Sequence, residues 1–80
     1  MKENSNYKDP SGRELLSGDI YKIGVMIWEV KKMKDNSFWL INDGYGSELC
    51  DKQDNALVFA NEHNIKFEYL YNLNDTRDNF

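Results

Sequence analysis

The run Ile20-Tyr21-Lys22-Ile23-Gly24-Val25-Met26-Ile27-Trp28-Glu29-Val30 constrains this chain more than any other segment. β-Branched and aromatic side chains dominate it, and these pack well on a pleated surface. The run is longer than an ordinary strand of about five or six residues. Gly24 stands where a bulge or a sharp bend would interrupt it.

The rest of the chain has the same texture of short strands and turns. Asp9-Pro10-Ser11-Gly12 carries turn chemistry, and Gly18 marks a second turn. Lys31 to Asn36 is a charged connection, followed by a short strand Ser37-Phe38-Trp39-Leu40-Ile41. Asn42-Asp43-Gly44-Tyr45-Gly46 contains the Asp-Gly pair favoured in tight hairpins, and Ser47-Glu48-Leu49-Cys50 suits a fourth strand. Residues 54–64 fit either a short helix capped by Asp54 or Asn55, or a strand through Val58 and Phe59; the helix is the preferred expectation. Ile65, Phe67, Tyr69, Tyr71 and Leu73 alternate with polar residues, which predicts a half-buried strand.

About five short strands in 80 residues predict a mainly β fold, a small, strongly bent SH3-like barrel with at most one short helix or helical turn. An OB-fold usually needs more residues. The expected organisation is a frayed or disordered segment 1–8, one domain over 9–73 and a polar tail over 74–80. The length leaves no room for several βαβ units, which excludes Rossmann and TIM-barrel chemistry.

Lys8-Asp9-Pro10-Ser11-Gly12-Arg13-Glu14-Leu15-Leu16-Ser17-Gly18-Asp19-Ile20-Tyr21-Lys22-Ile23 resembles the opening of the YopX-like family of phage and prophage proteins, roughly KDKNGKEIYEGDIVKI. Lys8, Asp9, Gly12, Glu14, Gly18, Asp19, Ile20, Lys22 and Ile23 match directly. Gly24 to Glu29 and Ser37 to Leu40 are similar to the family's next two strands. Asn72 and Leu73 match its ending, whereas Tyr71 stands where glycine is usual and the closing Asn-Pro is absent. The family's N-terminal FRAW region is also missing. The resemblance implies an SH3-like barrel and an origin in a phage or mobile element. It implies no activity, because the family's biochemical role is not established.

Charge is unevenly distributed. Residues 1–34 hold seven basic and five acidic groups, a balance of +2; residues 35–80 hold three basic and nine acidic groups, a balance of −6. Such a chain is a poor general ligand for nucleic acid, where phosphate neutralisation supplies most of the affinity. An acidic face attracts a basic protein surface. No apolar run approaches the roughly 18–20 residues of a membrane span. A polar start and a single Cys50 fit a reducing, cytoplasmic setting.

Catalytic and metal chemistry find little purchase. His63 is the sole histidine and sits in a polar stretch; Cys50 reads as a buried, inert thiol. Asp51-Lys52-Gln53-Asp54-Asn55 lacks the spacing and glycine of a calcium loop. Asp9 and Asp19 read as turn and capping residues. The expectation is a non-enzymatic chain with no cofactor.

Three functional readings follow. In the first, a phage or prophage accessory protein binds a bacterial protein with a basic surface, such as a restriction or CRISPR effector. Asp43, Glu48, Asp51, Asp54, Glu62 and Glu68 then supply the acidic face, with Trp39 or Tyr45 as an anchor. In the second, Lys31, Lys32 and Lys34 with an exposed aromatic bind nucleic acid. In the third, exposed barrel edges pair two copies into a homodimer.

Overall fold

The strand-rich runs assemble into one five-stranded antiparallel sheet in the computed structural model, which describes residues 2–76. The strands of this sheet are β3 (Asp19–Ile23), β4 (Met26–Lys32), β5 (Phe38–Asn42), β6 (Tyr45–Glu48) and β7 (Phe67–Asn72). Their order is β6-β5-β4-β3-β7: a meander whose last strand returns beside the first. That order, in a mainly β chain, is the SH3-like barrel arrangement expected from the sequence. Two further strands, β1 (Asn4–Lys8) and β2 (Glu14–Leu16), pair separately, and two short helices, α1 (Ala56–Glu62) and α2 (Leu73–Thr76), complete the chain.

Gly24 does more than bend a strand. Ile23 pairs with Met26, so Gly24 and Val25 form a two-residue hairpin loop and the long run becomes two strands. Gly24 takes φ +62 at the first loop position, where its missing Cβ matters. The inward faces of the strands contribute Tyr21, Ile23, Val30 and Leu40 to the core. Helix α1 closes the core with Leu57 and Ala60, three residues apart on one helical face. Asn55, rather than Asp54, caps this helix by accepting the N–H groups of Leu57 and Val58 at 3.0 and 3.1 Å.

Three expectations are corrected. Residues 4–8 are not frayed: β1 pairs with β2, and Glu3 and Ser17 exchange two hydrogen bonds of 2.8 Å. Asn-Ser-Asn-Tyr-Lys carries little intrinsic strand preference, so tertiary pairing overrides local propensity. The polar tail begins with α2, a second short helix beyond the one expected, whereas residues 77–80 lie outside the described residues. The alternation of β7 also breaks. Ile20 pairs with Tyr71 but Tyr21 pairs with Tyr69, leaving Leu70 as an extra residue in a bulge. Beyond it the faces exchange, so Asn72 is buried and Tyr71 is exposed.

Asn72 enters a polar network that explains the Asp-x-x-Gly…Gly-Asp phrase. Asp19, fully buried, accepts the Leu16 N–H at 2.8 Å, the Asn72 amide at 2.8 Å and the Arg13 guanidinium at 2.7 Å. The Arg13 guanidinium also lies 3.4 Å above the Tyr69 ring. Asp9 accepts the Ser11 and Arg13 N–H groups at 2.8 and 3.0 Å and the Tyr21 hydroxyl at 2.6 Å. Both aspartates therefore hold turns, as expected, and together they fasten the β1–β2 hairpin to the barrel.

Gly18 sits against this network at φ +89, and a Cβ there would lie 2.8 Å from the Asn74 amide nitrogen and 3.1 Å from Asn72 Oδ1. Gly18→Ala is expected to cost about 2 kcal/mol, combining backbone strain with displacement of Asn72. A denaturant midpoint within error of wild type would disprove the packing account.

Candidate functional site

The two tight hairpin loops, Gly24-Val25 and Asp43-Gly44, lie at the same end of the meander, because a hairpin reverses the chain after every strand. Between the Gly24-Val25 loop, β6 and α1, the surface opens into a cleft of about 570 Å³. Val25 and Met26 enter from the β3–β4 hairpin, Tyr45 from β6, Phe59 from α1 and Ile65 from the approach to β7. All five are exposed: Val25 by 93%, Tyr45 by 67% and Phe59 by 56%. An apolar surface gathered around one cavity marks an interaction site far better than the same residues scattered singly.

Each anchor is held by its element. Val25 occupies the second position of a two-residue loop, so its side chain has no strand neighbour to cover it. Phe59 lies on the side of α1 opposite to the Leu57–Ala60 face and stacks on His63 at the helix end, with ring centroids 4.2 Å apart. Asp54 is the one charged side chain among the residues lining the cleft.

The structure brings together only part of the expected acidic face. Tyr45 and Asp54 meet in the cleft. Trp39 and Glu48 are directly cross-strand on the outer face of β5 and β6. Trp39 is half-buried: its ring lies over Gly46, where a Cβ would come within 3.3 Å of it, and its indole N–H donates to Ser37 Oγ at 2.9 Å. Phe38 and Trp28 pack against the core, which settles the alternation at 38–39. Asp43 is exposed in the β5–β6 loop, and Glu68 is paired with Lys22 across β7 and β3. Asp51 accepts a hydrogen bond from the Tyr7 hydroxyl at 3.3 Å, and Glu62 ends α1; neither lines the cleft.

The basic cluster is also divided. Lys31 stands cross-strand from Trp39 on the outer face, Lys32 points to the other face and forms an ion pair with Glu3, and Lys34 is exposed in the following turn. Cys50 is half-buried rather than fully buried, and His63 is exposed.

Sequence reasoning missed Val25, Met26, Phe59 and Ile65. One signal was present: a β-branched residue follows a turn glycine where a polar residue is usual. Reading Gly24-Val25 as a hairpin loop would have placed Val25 at an exposed tip.

Two groups of the polar network, Asp9 and Tyr21, have displaced titrations. Burial pushes the Asp9 carboxyl up, but hydrogen bonds from Ser11, Tyr21 and the Arg13 and Ser11 N–H groups prevail and hold it below its ordinary 3.8. Burial, and then the hydrogen bond to Asp9, push the Tyr21 hydroxyl well above its ordinary 10.0. A depressed carboxyl stabilises the fold above its unfolded pKa and loses that contribution as pH falls; a raised phenol stabilises it below pH 10.0 and loses that contribution as pH rises. Asp9→Asn is therefore expected to flatten the acid limb of stability below about pH 4, and Tyr21→Phe the alkaline limb. Unaltered limbs in pH-dependent urea melts would show that the pair does not govern either.

Comparison with protein-family models, curated proteins and solved structures finds no match. No helix among the described residues is long and apolar enough to cross a membrane.

Proposed function

We propose that this chain is a non-enzymatic phage or prophage accessory protein that binds a bacterial protein in the host cytoplasm and modulates it. The observation that carries the binding role is the cleft, where five exposed apolar side chains surround one cavity. Buried aromatic and aliphatic anchors dominate the energetics of protein interfaces, and Tyr45, Phe59, Val25 and Met26 are suited to become such anchors. The net charge of −4 favours a partner with a basic surface. The similarity of residues 8–23 to YopX-like proteins supports the phage or prophage origin, and a defence effector is one class of target.

The test is affinity capture from bacterial lysate, with and without nuclease, comparing the wild-type chain with a Val25→Ser/Phe59→Ser variant. One host protein held by the wild type in both conditions and lost by the variant is the expected result. Capture that disappears with nuclease would replace this function with nucleic-acid binding at Lys31 and Trp39, which stand cross-strand on the outer face.

A further inference from the structure

The cleft is bounded on one side by a strand edge. Strand β6 is hydrogen-bonded only to β5 among the described residues. Asn42 pairs with Tyr45 across a two-residue loop, so Tyr45 and Ser47 turn their backbone groups towards β5, while Gly46 and Glu48 turn theirs away. The Leu49 N–H donates to the Phe38 carbonyl at 2.8 Å, which continues the same phase. Gly46 and Glu48 are exposed, and Tyr45, Gly46 and Ser47 line the cleft. The opposite edge, β7, carries the Leu70 bulge, a common device against edge pairing, whereas β6 pairs in unbroken register.

We propose that β6 receives an extended segment of the partner protein as an added antiparallel or parallel strand, with apolar side chains alternating with lysine or arginine. This rests on the cleft being the partner-binding surface. Side chains of an added strand alternate between faces. Those on the Tyr45 and Ser47 side enter the apolar cleft, where Asp54 is the only charge; those on the other side meet Glu48. The charged side chains beside this edge, Asp54 in the cleft and Glu48 on β6, are both acidic, so the complementary ligand is basic. A second copy of this chain would instead bring the same acidic groups, Glu48 and Asp54, to the shared interface.

The probe is a short synthetic peptide alternating lysine with valine and leucine, titrated into the ¹⁵N-labelled chain and followed by amide hydrogen exchange. At saturation, exchange at Gly46 and Glu48 should slow by about tenfold or more, with resonance shifts at Val25 and Phe59. N-methylation of alternate peptide amides should abolish the effect. Glu48→Pro removes an N–H that faces away from β5, so it should weaken binding by about tenfold while leaving the melting temperature nearly unchanged. Shifts at Val25 and Phe59 without slowed exchange at Gly46 and Glu48 would overturn strand addition and leave cleft binding standing. No response to the peptide, while a lysate protein is still captured through Val25 and Phe59, would overturn the basic extended ligand. Slow exchange at Gly46 and Glu48 in the free protein, with a dimeric mass by light scattering, would assign the edge to a second copy and overturn the proposal.

Discussion

Asp19→Ala is expected to lose about 3–5 kcal/mol of folding stability, the range found when one member of a buried ion pair is removed. The carboxylate has 0% exposure and serves three donors from two distant segments: the Arg13 guanidinium and the Leu16 N–H at β2, and the Asn72 amide at the end of β7. Alanine strips the Leu16 N–H of this acceptor and the Arg13 guanidinium of its carboxylate partner, while Asn72 keeps only its second bond, to the Ser17 carbonyl at 3.0 Å. An 80-residue domain has a total stability of roughly 4–12 kcal/mol, so the loss removes at least about a quarter of it. Asp19→Asn keeps the shape and one acceptor, and should cost less than half as much. Equal losses for the two substitutions, measured by urea unfolding, would show that the charge carries the whole contribution and the retained shape and acceptor none; an unchanged stability for asparagine would show that charge at this position is immaterial. A loss under about 1 kcal/mol for alanine would show that the network does not fasten the hairpin.

The second large effect lies on the surface. Val25→Ser combined with Phe59→Ser should weaken partner binding by about a hundredfold or more, since anchors in a desolvated pocket commonly contribute 2 kcal/mol or more each. The same double variant should change folding stability by no more than about 1 kcal/mol, because Val25 is 93% and Phe59 56% exposed. Separating the two quantities is what makes the test decisive. Wild-type affinity for the captured host protein in this variant would remove the cleft from the interface. A matching drop in melting temperature and affinity would make the loss a folding effect.

The polar network and the cleft were unequally legible in the sequence. Asp9, Gly12, Gly18 and Asp19 announce turns through local chemistry, because a carboxylate reaching neighbouring amides, or a glycine at positive φ, acts within a few residues. Their convergence was not legible. Arg13 reaches Asp19 only because β2 and β3 fold together, and Asn72 joins them only because the Leu70 bulge exchanges the faces of β7. The acidic clustering along 43–68 suggested one face, yet the strands and α1 distribute those side chains over several. Proximity in sequence does not survive a chain that reverses at every turn.

By itself, the sequence determined the mainly β class, the turns at Asp9–Gly12, Gly18 and Asp43-Gly44 and the apolar character of most strands, and it favoured a helix over a strand within 54–64 without deciding between them, since these depend on local propensity and periodicity. Tertiary structure alone decided that Asn4–Lys8 would be a strand, that Trp28 would face inwards and Trp39 outwards, and that Val25, Met26, Tyr45, Phe59 and Ile65 would share one cleft. Those outcomes depend on strand register and on which loops meet at one end of the sheet. Register is set by long-range pairing, and a one-residue shift exchanges every face.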